Sequence, residues 1–194
     1  MKKIYVVLSH TGTILSKIIR LKTGAEYTHV SIALDENLKR MYSFGRIYPH
    51  IAFLGGFVRE SKKFGTFKRF KDTEVSIFEL EVTEKQYEEM NFSVLEIKKN
   101  KRKYRFNILG LILAGINKKS TDENRFYCAE FVKYILDKGN VDLSNLPEVI
   151  KPEDFKNLKN ANLIYKGYLR KYEVEELKLI QLLKTIASDK KIPV

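Results

Sequence analysis

The segment EVSIFELEV, Glu74 to Val82, alternates apolar and polar residues with a period of two. That alternation matches the two-residue repeat of an extended strand better than the turn of a helix, so the segment reads as a strand. YTHVSIAL, Tyr27 to Leu34, repeats the pattern: Val30, Ile32 and Leu34 alternate with His29, Ser31 and Ala33. Isolated strands are not stable in water, so these segments require a sheet with an apolar face to cover. RMYSFG, residues 40–45, follows a polar turn and makes 27–45 a hairpin. Lys3 to Ser9 is a further strand by its β-branched and aromatic content. Residues 46–72 read as loops with one short strand around Phe57 to Glu60.

Helical signals fill the rest. Thr13 to Leu21 carries apolar residues at helical spacing. Thr83-Glu84-Lys85-Gln86 is a capping box that opens a helix to about Lys99. Phe106 to Ile116 is an apolar helix, or a loop packed on the core. FYCAEFVKYILDKG is a helix closed by Gly139. Residues 140–160 are loop-rich, Leu163 to Tyr172 reads as a last strand or hairpin, and Val174 to Ile186 as an amphipathic helix. The elements predict an α+β fold, an antiparallel sheet or small barrel packed against helices. One domain spans 1–160, and 161–194 forms a strand/helix extension on it.

Composition narrows the function classes. With one cysteine the chain can form neither an internal disulfide nor a cysteine-rich zinc site, and this fits a reducing compartment such as the cytoplasm. The N-terminus starts as a signal peptide would, with two lysines before Ile4 to Leu8. That apolar run is shorter than the ~7–15 residues of a secretory core, so it reads as a strand. No segment approaches the ~20 apolar residues of a membrane span. The formal net charge is +12. The charges are spread along the chain, which favours a generally basic surface over a specific nucleic-acid site, with weak attraction to anionic surfaces.

Stepping 100° per residue from Cys128 places Phe131, Val132, Ile135 and Leu136 on the same helix face. The thiol therefore faces the interior from a helix N-terminus. A helix start favours a thiolate, and its unpaired N–H groups suit an oxyanion. Taken alone, a cysteine on an apolar face is core packing. Of the histidines at 10, 29 and 50, only His29 lies in a clear strand. A rigid strand suits an imidazole that must meet a nucleophile and a third, orienting group.

THVSIAL followed by MYSFG, with FYCAEFV far downstream, resembles the permuted branch of the NlpC-type papain-like superfamily. The YiiX-like bacterial proteins and the lecithin:retinol acyltransferase-like proteins belong to that branch, where the histidine strand precedes the cysteine helix. The resemblance covers roughly residues 3–155 and includes the aromatic tract YRFN at 104–107. It implies a circularly permuted papain-like fold and a cysteine hydrolase working through an acyl-enzyme thioester. Cys128 would be the nucleophile and His29 its base, with no cofactor or metal. Tyr127 and Glu130 match the aromatic and acidic positions beside the nucleophile and, with Tyr42, are candidates for substrate binding or oxyanion support. The family's third catalytic group lies on the strand after the histidine strand. Here that strand offers Ser43, which we select, and Tyr42; Glu60 and Asn107 are rivals. Substrates implied are peptides, amides or acyl lipids, cleaved or transferred. Two other readings stay open: an inactive family member, and a module whose basic tracts at 62–71 and 98–105 bind nucleic acid or anionic lipid.

Overall fold

The computed structural model of the chain describes residues 1–12, 20–21, 24–48, 54–115, 118 and 124–189. Along the chain come β1 (Lys2–His10), β2 (His29–Ala33), β3 (Met41–Arg46), β4 (Gly55–Glu60), helix α1 (Gly65–Arg69), β5 (Glu74–Val82) and α2 (Glu84–Lys99). There follow β6 (Arg105–Phe106), α3 (Ile108–Gly115), β7 (Arg125–Phe126), α4 (Cys128–Lys138), β8 (Ala161–Tyr168) and α5 (Val174–Asp189). The fold is α+β. Six strands form one antiparallel sheet in the order β4-β3-β2-β1-β5-β8, and β6 and β7 make a separate short parallel pair. The helix expected over 13–21 lies almost wholly outside the described residues.

β1 runs through the centre, paired to β2 on one side and to β5 on the other. It is buried on both faces, which explains why KIYVVLS reads as a continuous apolar run and does not alternate. One face carries Ile4, Val6, Leu8, Val30, Ile32, Phe44, Phe78 and Leu80, covered by Met90, Val94 and Ile97 of α2 and by Phe131, Val132, Ile135 and Leu136 of α4. Tyr5, Val7, Ala33, Met41, Val75 and Ile77 line the other face, under Phe67 and Leu169. The pattern-based α4 face is the face that is buried.

The capping box forms as its sequence requires: Gln86 N–H donates to Thr83 Oγ1 at 3.2 Å, and Thr83 N–H to Gln86 Oε1 at 3.0 Å. Gly139 closes α4 for a reason other than backbone freedom. Its φ is −83°, and the left-handed turn is made by Asn140, at φ +49°. A Cβ on Gly139 would lie 2.7 Å from Met90 Cγ, so the glycine lets α2 and α4 approach closely. Residues 161–168 are the sheet's sixth strand, registered on β5 from Glu74↔Tyr168 to Leu80↔Ala161. The stretch read as an extension therefore shares the central sheet.

Candidate functional site

The site starts from how α4 begins. Tyr127 is extended, at φ −95° and ψ 175°, and the helix turns in at Cys128. Glu130 folds back over this start. Its carboxylate accepts from Tyr127 N–H at 3.0 Å and from Asn107 Nδ2 at 3.1 Å. Asn107 in turn accepts Gly110 N–H on its Oδ1 at 2.8 Å, capping α3. One buried amide thus ties two helix starts together, and Cys128 sits at the tied point with helix N–H groups around it that have no intrahelical acceptor. Burial raises the Glu130 carboxyl above its ordinary range, opposed by the hydrogen bonds from Tyr127 and Asn107.

His29 opens β2, opposite Ser9 of β1. Its Nε2 is 2.9 Å from Glu60 Oε1 at the end of β4. The other carboxylate oxygen of Glu60 accepts a hydrogen bond from Ser31, two residues along β2 on the same side. The Cys128 side chain is the other group near the ring that raises its pKa. The imidazole therefore bridges a thiol and a carboxylate in a chain Cys128–His29–Glu60–Ser31. The three outer elements are a helix start and two strands, all held by the main sheet and its core.

Gly45 makes room for this bridge. A Cβ there would lie 3.3 Å from His29 Cε1 and 3.5 Å from Glu60 Oε1. A Cβ at 45 would press closely on the imidazole and meet the carboxylate at ordinary contact distance. A glycine inside a strand often marks such a close approach.

Burial alone would lower the His29 pKa. The charges of Glu60 and Cys128, and the hydrogen bonds to both, outweigh it and raise the value from 6.5 to about 10. The fold thus favours the imidazolium. Its contribution to stability is fully present below pH 6.5 and is lost as pH climbs through about 10. We expect the stability gap between the native chain and His29→Gln, measured by urea unfolding, to narrow steadily from pH 6.5 to pH 10. A gap that is constant over that window would mean that His29 is not held cationic.

The remaining expected site residues fall elsewhere. Ser43, chosen as the third catalytic group, donates to the Val30 carbonyl at 3.0 Å and is fully buried. Glu60, named as its rival, holds the ring. Tyr42 stacks on Phe57 with centroids 5.7 Å apart, in the core on the α4 side. The Tyr127 hydroxyl donates to the Ile150 carbonyl at 2.7 Å and is buried, so it pins the 140–160 loop and has no freedom to reach an oxyanion. Glu130 and Asn107 brace the helix starts. Ser31 and Gly45 were not singled out from sequence; the i, i+2 spacing of His29 and Ser31 and the glycine inside SFGR were their available signals.

Among the described residues, no cluster of three or more His, Cys, Asp or Glu side chains could hold a metal ion. No helix among them is long and apolar enough to cross a membrane. Comparison of the chain with protein-family models, with curated proteins and with solved structures finds no match.

Proposed function

We propose that this chain is a cysteine hydrolase of the permuted papain-like type, acting on an amide or acyl ester through a thioester on Cys128. The observation that carries the reading is the His29 ring set between the Cys128 thiol and the Glu60 carboxylate. That order of groups is what an activated thiol needs: a base in reach, and an acid anion to orient the base and stabilise its charge. Glu60, in place of Ser43, is the third member, and Ser31 fixes its free oxygen. The histidine strand preceding the cysteine helix gives the permuted order.

The chemistry follows from the geometry. The thiol proton already resides on His29, so the reactive site is a Cys128 thiolate beside the His29 imidazolium. The thiolate attacks the carbonyl carbon, and the C=O electron pair moves to oxygen. Backbone N–H groups at the start of α4 hold that oxyanion. The intermediate collapses, the C–N or C–O bond breaks, and the leaving group takes the proton from His29. Water then gives a proton to His29 and its oxygen to the thioester carbonyl. Cleavage of the C–S bond releases the acid and restores the thiolate–imidazolium pair. An amine or alcohol in place of water makes the same site an acyltransferase.

The test uses p-nitrophenyl esters and intact-protein mass spectrometry. We expect an acyl group on Cys128 during turnover and none in Cys128→Ser. Glu60→Gln keeps an acceptor for the ring but removes the charge, and we expect acylation to slow by about a hundredfold. Turnover that persists in Cys128→Ser with no acyl group on the native chain would defeat the proposal.

A further inference from the structure

Beside the site, exposed apolar side chains lie next to basic ones. Just after β3 and before β4, Ile47, Tyr48 and Leu54 are exposed, and Ile47 N–H bonds the Leu54 carbonyl at 3.0 Å. Phe106 lies directly on Gly55, so close that a Cβ there would fall 2.5 Å from its ring. Phe106 thus joins the start of β4 to α3, which begins two residues later. α3 has the sequence ILGLILAG and contains no hydrogen-bonding side chain. Its Leu111 packs on the core and Ala114 is buried, whereas Ile108 and Ile112, one turn apart, are exposed at 42% and 63%. Five large apolar side chains therefore lie on two adjoining elements.

Charge frames this patch. Arg105 and Arg125 stand opposite each other in the β6–β7 pair just before α3 and α4, and both are exposed. Lys118 is exposed beyond the other end of α3. Lys98, Lys99, Lys101, Arg102 and Lys103 continue the basic strip back to the end of α2. Apolar residues on one helix face with basic flanks are the pattern of a helix that lies in a membrane interface. α3 has eight residues, far short of the ~20 needed to span.

We propose that α3 and the ends of β3 and β4 near Ile47 and Leu54 form a docking surface for an anionic lipid bilayer, with Ile47, Leu54, Ile108 and Ile112 entering the headgroup boundary and Arg105, Arg125 and Lys118 meeting lipid charge. A bilayer asks for apolar depth and positive charge and needs no fixed register. A protein interface of this size would call for polar groups at set positions, and α3 has none. Tyr48 has the amphipathic ring that settles at headgroup level. The surface also rims the Cys128 site on two sides, through the Asn107–Glu130 hydrogen bond and through Gly45, which precedes Arg46 and Ile47 and touches His29. Docking thus presents that site to the bilayer surface, but the docking itself does not depend on the hydrolase chemistry.

The experiment is co-sedimentation of the full chain with vesicles of phosphatidylcholine alone and of phosphatidylcholine mixed equally with phosphatidylglycerol. We expect pelleting with the mixed vesicles at low salt and little with the neutral ones. Ile112→Asp should weaken partitioning about tenfold. Leu179→Asp makes the same charge change at an exposed apolar position on α5 and should leave binding near native. Cys128→Ser should bind as the native chain does, which separates docking from catalysis. No pelleting with the mixed vesicles overturns the proposal. Equal weakening by the α3 and α5 variants also overturns it, because net charge alone would then account for binding. So does self-association relieved by Ile112→Asp without vesicle binding, which would make the patch a protein contact.

Discussion

At pH 6, iodoacetamide is expected to alkylate Cys128 about a hundredfold more slowly in His29→Ala than in the native chain. A free thiol with a pKa near ~8.5 is under about one per cent thiolate at that pH. A cationic imidazole beside the sulfur pays the electrostatic cost of the anion in advance. His29 holds its proton up to about pH 10, so the native rate should be nearly flat across the neutral range. The variant should instead climb about tenfold per pH unit until it reaches the range of a free thiol. Thiolates stabilised by a neighbouring cation are weaker nucleophiles, which keeps the gap smaller than the gain in thiolate population. Cys128 is 6% exposed, and burial slows the reagent in both proteins alike, so the ratio and the slope are diagnostic where the absolute rate is not. Because the chain has one cysteine, mass spectrometry reads a single site. Equal rates and slopes in the two proteins would make Cys128 an inert core thiol.

What could be read from sequence followed local periodicity. EVSIFELEV reads as a strand by its alternation, and it is β5 from Glu74 to Val82, buried on both faces. TEKQ could only open a helix, and both reciprocal bonds are present. The apolar spacing after Cys128 named the buried face of α4 before any contact was known. The carboxylate that reaches the His29 ring was not legible in the same way, because it depends on pairing between strands. Ser43 and Glu60 are both polar residues on strands near His29. Which one reaches the ring is set by the β3–β4 register, Met41↔Glu60 to Arg46↔Gly55, and by which oxygen atoms the neighbouring backbone has already claimed. A one-residue slip in register would turn Glu60 to the opposite face. Ser43 was disqualified by a local bond to Val30, and Tyr127 by Ile150, 23 residues away in a loop without periodicity. The strand at 163–172 was legible, but its pairing to β5 in the main sheet was not, because ANLIYKGY lies on the sheet edge and barely alternates.

The same dependence on distant packing leads to the largest stability effect. Phe131→Ala is expected to destabilise the fold by about 3–5 kcal/mol. Phe131 is fully buried one turn after Cys128, with ring centroids 5.3 Å from Phe44, 5.8 Å from Phe57 and 6.5 Å from Phe126. Those partners belong to β3, β4 and β7, so a single ring joins α4 to the strands that carry Gly45 and Glu60. Removing it leaves a cavity walled by three aromatic rings in three separate elements, and rings fixed by edge-to-face contacts cannot collapse into it together. Against a typical domain stability of ~5–15 kcal/mol, the variant should still fold in the cold, with a lower urea midpoint and an unchanged denaturant slope. Phe131→Leu restores part of the volume and should recover more than half of the loss. A cost below about 1 kcal/mol for Phe131→Ala would mean that α4 is seated by its outer contacts with α2. The alignment of Cys128 with His29 would then rest on Val132, Ile135 and Leu136 against the sheet, and the aromatic cluster would be filling space without holding the two halves of the site in register.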